Sequence, residues 1–307
     1  MPSPFHPAAV SPETAAFNRD LAERLAGMPK PFDLPVDEMR RTRAEGRGIF
    51  PLGGPRPGSD WQEIPGAGGR AARVRVSLPP GRPRGTYLHI HGGGWTFGAP
   101  EQCDEDCQRV ARRTGARVVS VAYRLAPEHR WPAQAEDCLA AARWALASDD
   151  APLVIGGESA GAHLAAVTAL ALRPEPRLAG AVLTYGMFDL AGTPSARRWG
   201  ETYLVLSTPV IRWFVENLAG GAALDDPALS PLMADLSGLC PALFQVGTMD
   251  PLLDDTLFMA ARWEAAGNRA ELGIWPGGVH AFDQFDIAIA RESLARRDAF
   301  VAERLGV

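Results

Sequence analysis

The chain has 307 residues, 46% of them hydrophobic and 22% charged, with a formal net charge of −5. Such a composition is ordinary for a globular enzyme and gives a core that needs no disulfide or metal staple. The absence of a basic excess argues against a nucleic-acid partner.

The N-terminal stretch MPSPFHPAAVSPET has no basic segment followed by an apolar one, so it does not read as a signal peptide. No apolar run approaches the ~20 residues that cross a bilayer, and a cytoplasmic protein without a membrane span is expected. Residues 12–45 are charged and helix-prone, broken by Pro29, Pro31 and Pro35; LAERLAG (21–27) is amphipathic and stops at Gly27. Residues 46–60 are a Gly/Pro-rich linker. WQEIP (61–65) and AARVRVSLP (71–79) are two strands that open a sheet in antiparallel fashion.

From Arg84 onward strands and helices alternate. Strands are expected at 86–91, 117–123, 152–157, 178–185, 242–248 and 270–276, and helices at 101–115, 133–147, 160–172, 252–266 and 286–304. This is an α/β pattern: a mostly parallel eight-stranded sheet flanked by helices, with functional groups outside the carboxyl ends of the strands. Residues 190–230 interrupt the alternation with two aromatic-rich helices, the second starting with Thr208 as N-cap and Pro209 in the first helical position. This insertion, with residues 1–48, is expected to form a helical cap on a single domain spanning 1–307.

Four cysteines, Cys103, Cys107, Cys138 and Cys240, show no zinc-type spacing and read as small apolar residues. No metal is expected. The chemistry concentrates elsewhere. Gly157-Glu158-Ser159-Ala160-Gly161 fits G-x-S-x-G between a strand and an Ala-rich helix, the setting of a nucleophile elbow. A serine hydroxyl attacks well only when a base takes its proton. HGGGW (91–95) follows a strand, and its consecutive glycines expose backbone N–H groups. Gly93 and Gly94, with the N–H of Ala160, are the expected oxyanion donors.

The acid and the base follow from chain order, serine first, then acid, then histidine. Asp250 is the first carboxylate past strand 242–248; Asp254 and Asp255 lie a turn further on and suit the start of a helix equally well. His280 is the only histidine after residue 163 and follows the last strand. His91 comes before the serine and is read as orienting the glycine loop. His89 is read as structural, and His163 as packing behind Ser159.

HGGGW (91–95), YRLAPEHRWPA (123–133), GGESAGAHLA (156–165), the DPLLDD run (250–255) and VHAF (279–282) together resemble the hormone-sensitive-lipase family of bacterial esterases. The likeness covers nearly all of the chain beyond residue 60. It implies the α/β-hydrolase fold, carboxylester hydrolysis without a cofactor, a cap from the N-terminus plus an insertion after the sixth strand, and a small-molecule ester as partner; it also allows a homodimer. Glu158 stands where the family often has Asp, and a longer carboxylate reaching the same partner is expected. Cys240 stands where a second proline is commoner. Arg124 and Glu128 are expected to form a structural ion pair that shapes the elbow.

The expected activity is that of a serine carboxylesterase with Ser159, Asp250 and His280 as its triad, acting on short-chain esters through an acyl-enzyme. An arylformamidase would use the same triad. A ligand-binding protein on an inactive scaffold would lack a triad member or the glycine loop, and all are present.

Overall fold

The computed structural model describes residues 2–51 and 53–306. Its strands are β1 (Ser59–Pro65), β2 (Ala71–Ser77), β3 (Gly85–Ile90), β4 (Ala116–Ala122), β5 (Leu153–Glu158), β6 (Leu178–Thr184), β7 (Ala242–Met249) and β8 (Ala270–Val279). The helices are α1 (Pro12–Ala26), α2 (Val36–Ala44), α3 (Asp104–Thr114), α4 (Ala133–Ser148), α5 (Ala160–Leu172), α6 (Pro194–Arg198), α7 (Thr208–Ala219), α8 (Leu253–Ala265) and α9 (Ala288–Arg304). Among the described residues no helix is long and apolar enough to cross a membrane.

The strands form one sheet in the order β1-β2-β4-β3-β5-β6-β7-β8. β1 and β2, and β2 and β4, run antiparallel; the remaining pairs are parallel. The central strands are buried on both faces, so they read as apolar runs. Their period-2 alternation sorts neighbours onto opposite sides. Leu88, Val119, Ile155, Leu183 and Phe244 join the core beneath α4, α5 and α8, while Tyr87, Val118, Val154, Val182 and Leu243 pack with residues of α3 and α9.

The chain runs outward from β3 to β4, then returns to place β5 on the other side of β3. The carboxyl ends of β3 and β5 therefore flank a topological switch point, where the sheet opens a crevice. HGGGW leaves β3 there and Ser159 leaves β5.

Local sequence explains the N-terminal helices. The Ser11 hydroxyl accepts the Thr14 amide ahead of α1, and Pro12 occupies its first position. The prolines that follow end the regular structure until Pro35 leads into α2. Arg40 of α2 donates to the Thr96 and Ala126 carbonyls and pairs with Glu128.

Two expectations are corrected. Glu128 is taken by Arg40, so Arg124 turns to Asp137 and Glu136 instead. Asp137 is buried on α4 directly behind the loop, and it satisfies both the Arg124 backbone N–H and its guanidinium. The helix α7 starts one residue early, with Ser207 at the cap and Thr208 inside. Thr208 Oγ1 instead accepts from Gly200 N–H and donates to the Ala196 carbonyl, tying α6 to α7.

Candidate active site

β5 delivers Ser159 into a turn with φ 57° and ψ −118°. Non-glycine residues seldom adopt such angles, and the strain is held by the surrounding structure. The glycines explain how the turn fits. A Cβ on Gly157 or Gly161 would lie 2.2 or 1.9 Å from the Ile90 carbonyl oxygen. Strand β3 therefore approaches the elbow too closely for any side chain at either position.

β7 ends at Met249 and Asp250 is the next residue; β8 ends at Val279 and His280 is the next. The two side chains meet across neighbouring strand ends. His280 Nδ1 lies 2.9 Å from Asp250 Oδ2, and His280 Nε2 lies 2.8 Å from Ser159 Oγ. A carboxylate only accepts, so Nδ1–H donates to Asp250 and Nε2 is left to accept the serine proton. Asp250 Oδ1 accepts the Leu252 N–H at 2.8 Å, which fixes the carboxylate plane. Asp250 is 1% and His280 4% exposed.

Asp254 and Asp255 separate into other tasks. Asp255 is buried and accepts the Phe188 and Asp189 amides and the Thr193 hydroxyl, while Asp254 accepts the Ser195 amide. Both hold the chain after β6, away from His280.

The glycine loop packs against the elbow. A Cβ on Gly92 would lie 2.8 Å from the Glu158 carbonyl oxygen, and one on Gly93 2.3 Å from that of Phe97. Gly93 and Gly94 have φ of 117° and 58°. Among the described residues the amides of Gly93, Gly94 and Ala160 donate to no acceptor. The three expected donors are thus free at the mouth of the switch point.

The remaining histidines brace this loop. His91 Nδ1–H donates to the Gly92 carbonyl at 2.8 Å, and its ring stacks on Tyr123. Burial lowers His91 to about 4, so it stays neutral. His89 donates to Glu158 at 3.1 Å and meets Ser120 at 3.0 Å. The longer Glu158 carboxylate reaches that histidine and comes within 3.8 Å of Arg297. His163 does more than pack: it accepts from Trp95 Nε1 at 3.1 Å and donates to the Leu229 carbonyl at 2.7 Å. It links the glycine loop, α5 and the segment after α7.

Sequence reasoning passed over Tyr185 and Asp283. Tyr185 follows β6 with φ 38°, and its ring meets His280 edge-on at 4.9 Å. Its hydroxyl donates to Asp283, a carboxyl that burial pushes up to about 7. The only available signal for Tyr185 was its place at a strand's carboxyl end.

A cavity of about 260 Å³ opens at Ser159 and His280. Its walls include Leu25, Met28 and Met39 from the N-terminal segment and Tyr203, Val205, Leu206, Ile211 and Phe214 from the 190–230 insertion. Other aromatics of these two segments face elsewhere: Phe17 packs on Phe285, and Trp213 on Phe97 and Phe214. Among the described residues no cluster of three or more His, Cys, Asp or Glu side chains is placed to hold a metal ion.

The sheet order, the strained elbow at its switch point and the glycine loop beside it define an α/β hydrolase. A family model described as alpha/beta hydrolase fold matches residues 87–284. The chain is 32% identical over 294 residues to an ethyl acetate hydrolase of Pseudomonas putida, covering 89% of this chain and 92% of that one. It is 36% identical over 231 residues to carboxylesterase NlhH of Mycobacterium tuberculosis, covering 70% of each. A solved hormone-sensitive lipase from a metagenome library has a TM-score of 0.84 at 28% identity, covering 95% of this chain and 98% of that one. The chain belongs to the hormone-sensitive-lipase-like esterases of the α/β-hydrolase family.

Proposed function

We propose that this esterase hydrolyses short-acyl carboxylic esters with Ser159 as nucleophile, His280 as general base and Asp250 as the acid that orients the imidazole. The observation that carries the reading is the continuous hydrogen-bonded line from Asp250 through His280 to Ser159 Oγ. His280 Nε2 takes the hydroxyl proton as Oγ bonds to the ester carbonyl carbon. The oxyanion that forms is met by the N–H groups of Gly93, Gly94 and Ala160. The imidazolium returns its proton to the leaving alkoxide, the acyl group stays on Ser159, and water repeats the sequence to release the acid. Asp250 keeps the proton on Nδ1 and stabilises the transient imidazolium. The named relatives are ester hydrolases, and nothing favours the arylformamidase alternative.

In this reading residues 1–48 and 190–230 form the cap. Support comes from the apolar side chains that both segments contribute to the cavity wall. The cavity of about 260 Å³ also supports a short acyl group, since sites for drug-sized ligands run to about 300–1,000 Å³. The four cysteines are free, which supports the cytoplasm, a reducing compartment, as the place of action.

A fluorophosphonate carrying a reporter tests the assignment. Mass spectrometry should find one adduct, on Ser159, and folded Ser159→Ala should lose both labelling and turnover. Labelling at another serine, or turnover near wild type in that variant, would overturn it.

A further inference from the structure

The cavity around Ser159 contains a cation that has no counter-charge among the described residues. Arg43 of α2 lines it, with its guanidinium 5.1 Å from the ring centroids of both Phe50 and Phe97. Aromatic rings offer no oxygen acceptor, so these contacts leave the guanidinium N–H groups without a hydrogen-bond partner. Among the described residues nothing accepts from them, and no carboxylate acts on the charge, which meets only the hydroxyls of Tyr203 and Tyr123. Burial lowers Arg43 from its ordinary value, as expected for a cation without a partner.

The other charged groups in the wall, and Arg40 beside it on α2, have partners; Asp33, whose charge also reaches Tyr203, accepts the Lys30 amide. Arg40, three residues earlier on the same helix, is bound by Thr96, Ala126 and Glu128. Arg47, the other arginine in the wall, pairs with Glu45. Glu158, the one carboxylate in the wall among the described residues, is held by His89. Since Arg40 already pins α2 to the core, Arg43 is not needed for that task.

A second donor without a partner among the described residues comes from the opposite segment. Tyr203, between α6 and α7, also lines the cavity, and its hydroxyl feels the Arg43 charge. Burial pushes that phenol up to about 12, so it remains an O–H donor.

We propose that Arg43, assisted by the Tyr203 hydroxyl, binds a carboxylate on the substrate, so that the preferred substrates are esters bearing one free carboxylate, such as half-esters of dicarboxylic acids. One uncompensated positive charge matches one negative charge. The planar guanidinium edge also suits a carboxylate, which it can hold through two parallel bonds. The proposal rests on the reading of Ser159 as the esterase nucleophile.

Two matched pairs of esters test it. Mono(4-nitrophenyl) glutarate against its methyl ester puts the carboxylate on the acyl side; 4-acetoxybenzoate against methyl 4-acetoxybenzoate puts it on the alcohol side. The readout is the acid-to-neutral ratio of kcat/KM within each pair. Arg43→Gln should lower that ratio by about tenfold or more in one pair, the scale of a charge-assisted hydrogen bond. Arg43→Lys should lower it less, and Tyr203→Phe should lower it in the same pair. A merely structural Arg43 would slow both members alike and leave the ratio unmoved. An unchanged ratio in both pairs overturns the carboxylate site. Hydrolysis of the neutral esters that disappears in Ser159→Ala upholds the underlying esterase reading independently of that result.

Discussion

Arg40 on α2 and Glu128 in the loop after β4 form a two-pronged ion pair, with Nη1–Oε1 at 2.7 Å and Nη2–Oε2 at 2.9 Å. The same guanidinium donates to the carbonyls of Thr96 and Ala126. One side chain thus fastens the N-terminal segment to the glycine loop and to the turn behind it.

Arg40→Met should therefore loosen α2 over the cavity. Two partly buried carbonyls lose their donor, a cost of about 1–3 kcal/mol. The expected result is a lower thermal midpoint and a raised KM for a small ester, with kcat less affected. Unchanged stability and KM would show that α2 is held by its apolar contacts alone.

Asp250→Asn and Asp255→Asn should fail in different ways. The first puts an amide beside His280 Nδ1, which favours the wrong tautomer and should reduce kcat by about 10⁴-fold. The second leaves catalysis largely in place but weakens the carboxylate's hold on Phe188, Asp189 and Thr193, so its effect should appear in the thermal midpoint. Kinetics and melting curves on both proteins separate the outcomes; a larger kcat loss at Asp255 would move the acid role to it.

Burial pushes Asp283 up to about 7, above its unfolded value of about 4. Between those values the folded protein binds more protons than the unfolded chain, so this group's stabilising contribution is present below the lower value. It is lost as pH rises through about 7. Asp283→Asn still accepts the Tyr185 hydroxyl but cannot ionise. Its thermal midpoint should gain on wild type as pH goes from about 5 to about 8. Asp255, also pushed to about 7 by burial, is present in both proteins and cancels. Parallel curves would refute the expectation.

Acyl-chain preference follows from the cavity wall. Each added methylene is worth ~0.8 kcal/mol at best until the chain meets the end of the pocket. Across 4-nitrophenyl esters from acetate to palmitate, kcat/KM should peak among the short acyl groups and then fall. A maximum at the longest chains, or activation at an oil–water interface, would indicate a lipase.

The sequence by itself determined the strands and their order along the chain, and it singled out Ser159, Asp250 and His280 as candidates. Hydrophobic period and turn residues are local, and each of those three stands at or within one residue of a strand's end. The glycine pattern was legible too, because close backbone approach excludes every other residue at Gly157 and Gly161. Tertiary structure alone decided the partners. Arg40 and Glu128 are 88 positions apart, and Arg124 turned from Glu128 to Asp137 because of what the fold brought close. It likewise put Tyr185 beside His280, left Arg43 without a carboxylate partner among the described residues, and chose which aromatics of residues 1–48 and 190–230 face the cavity. Period and propensity act over a few residues of one chain segment. Charge pairing and cavity shape depend on which segments converge in space.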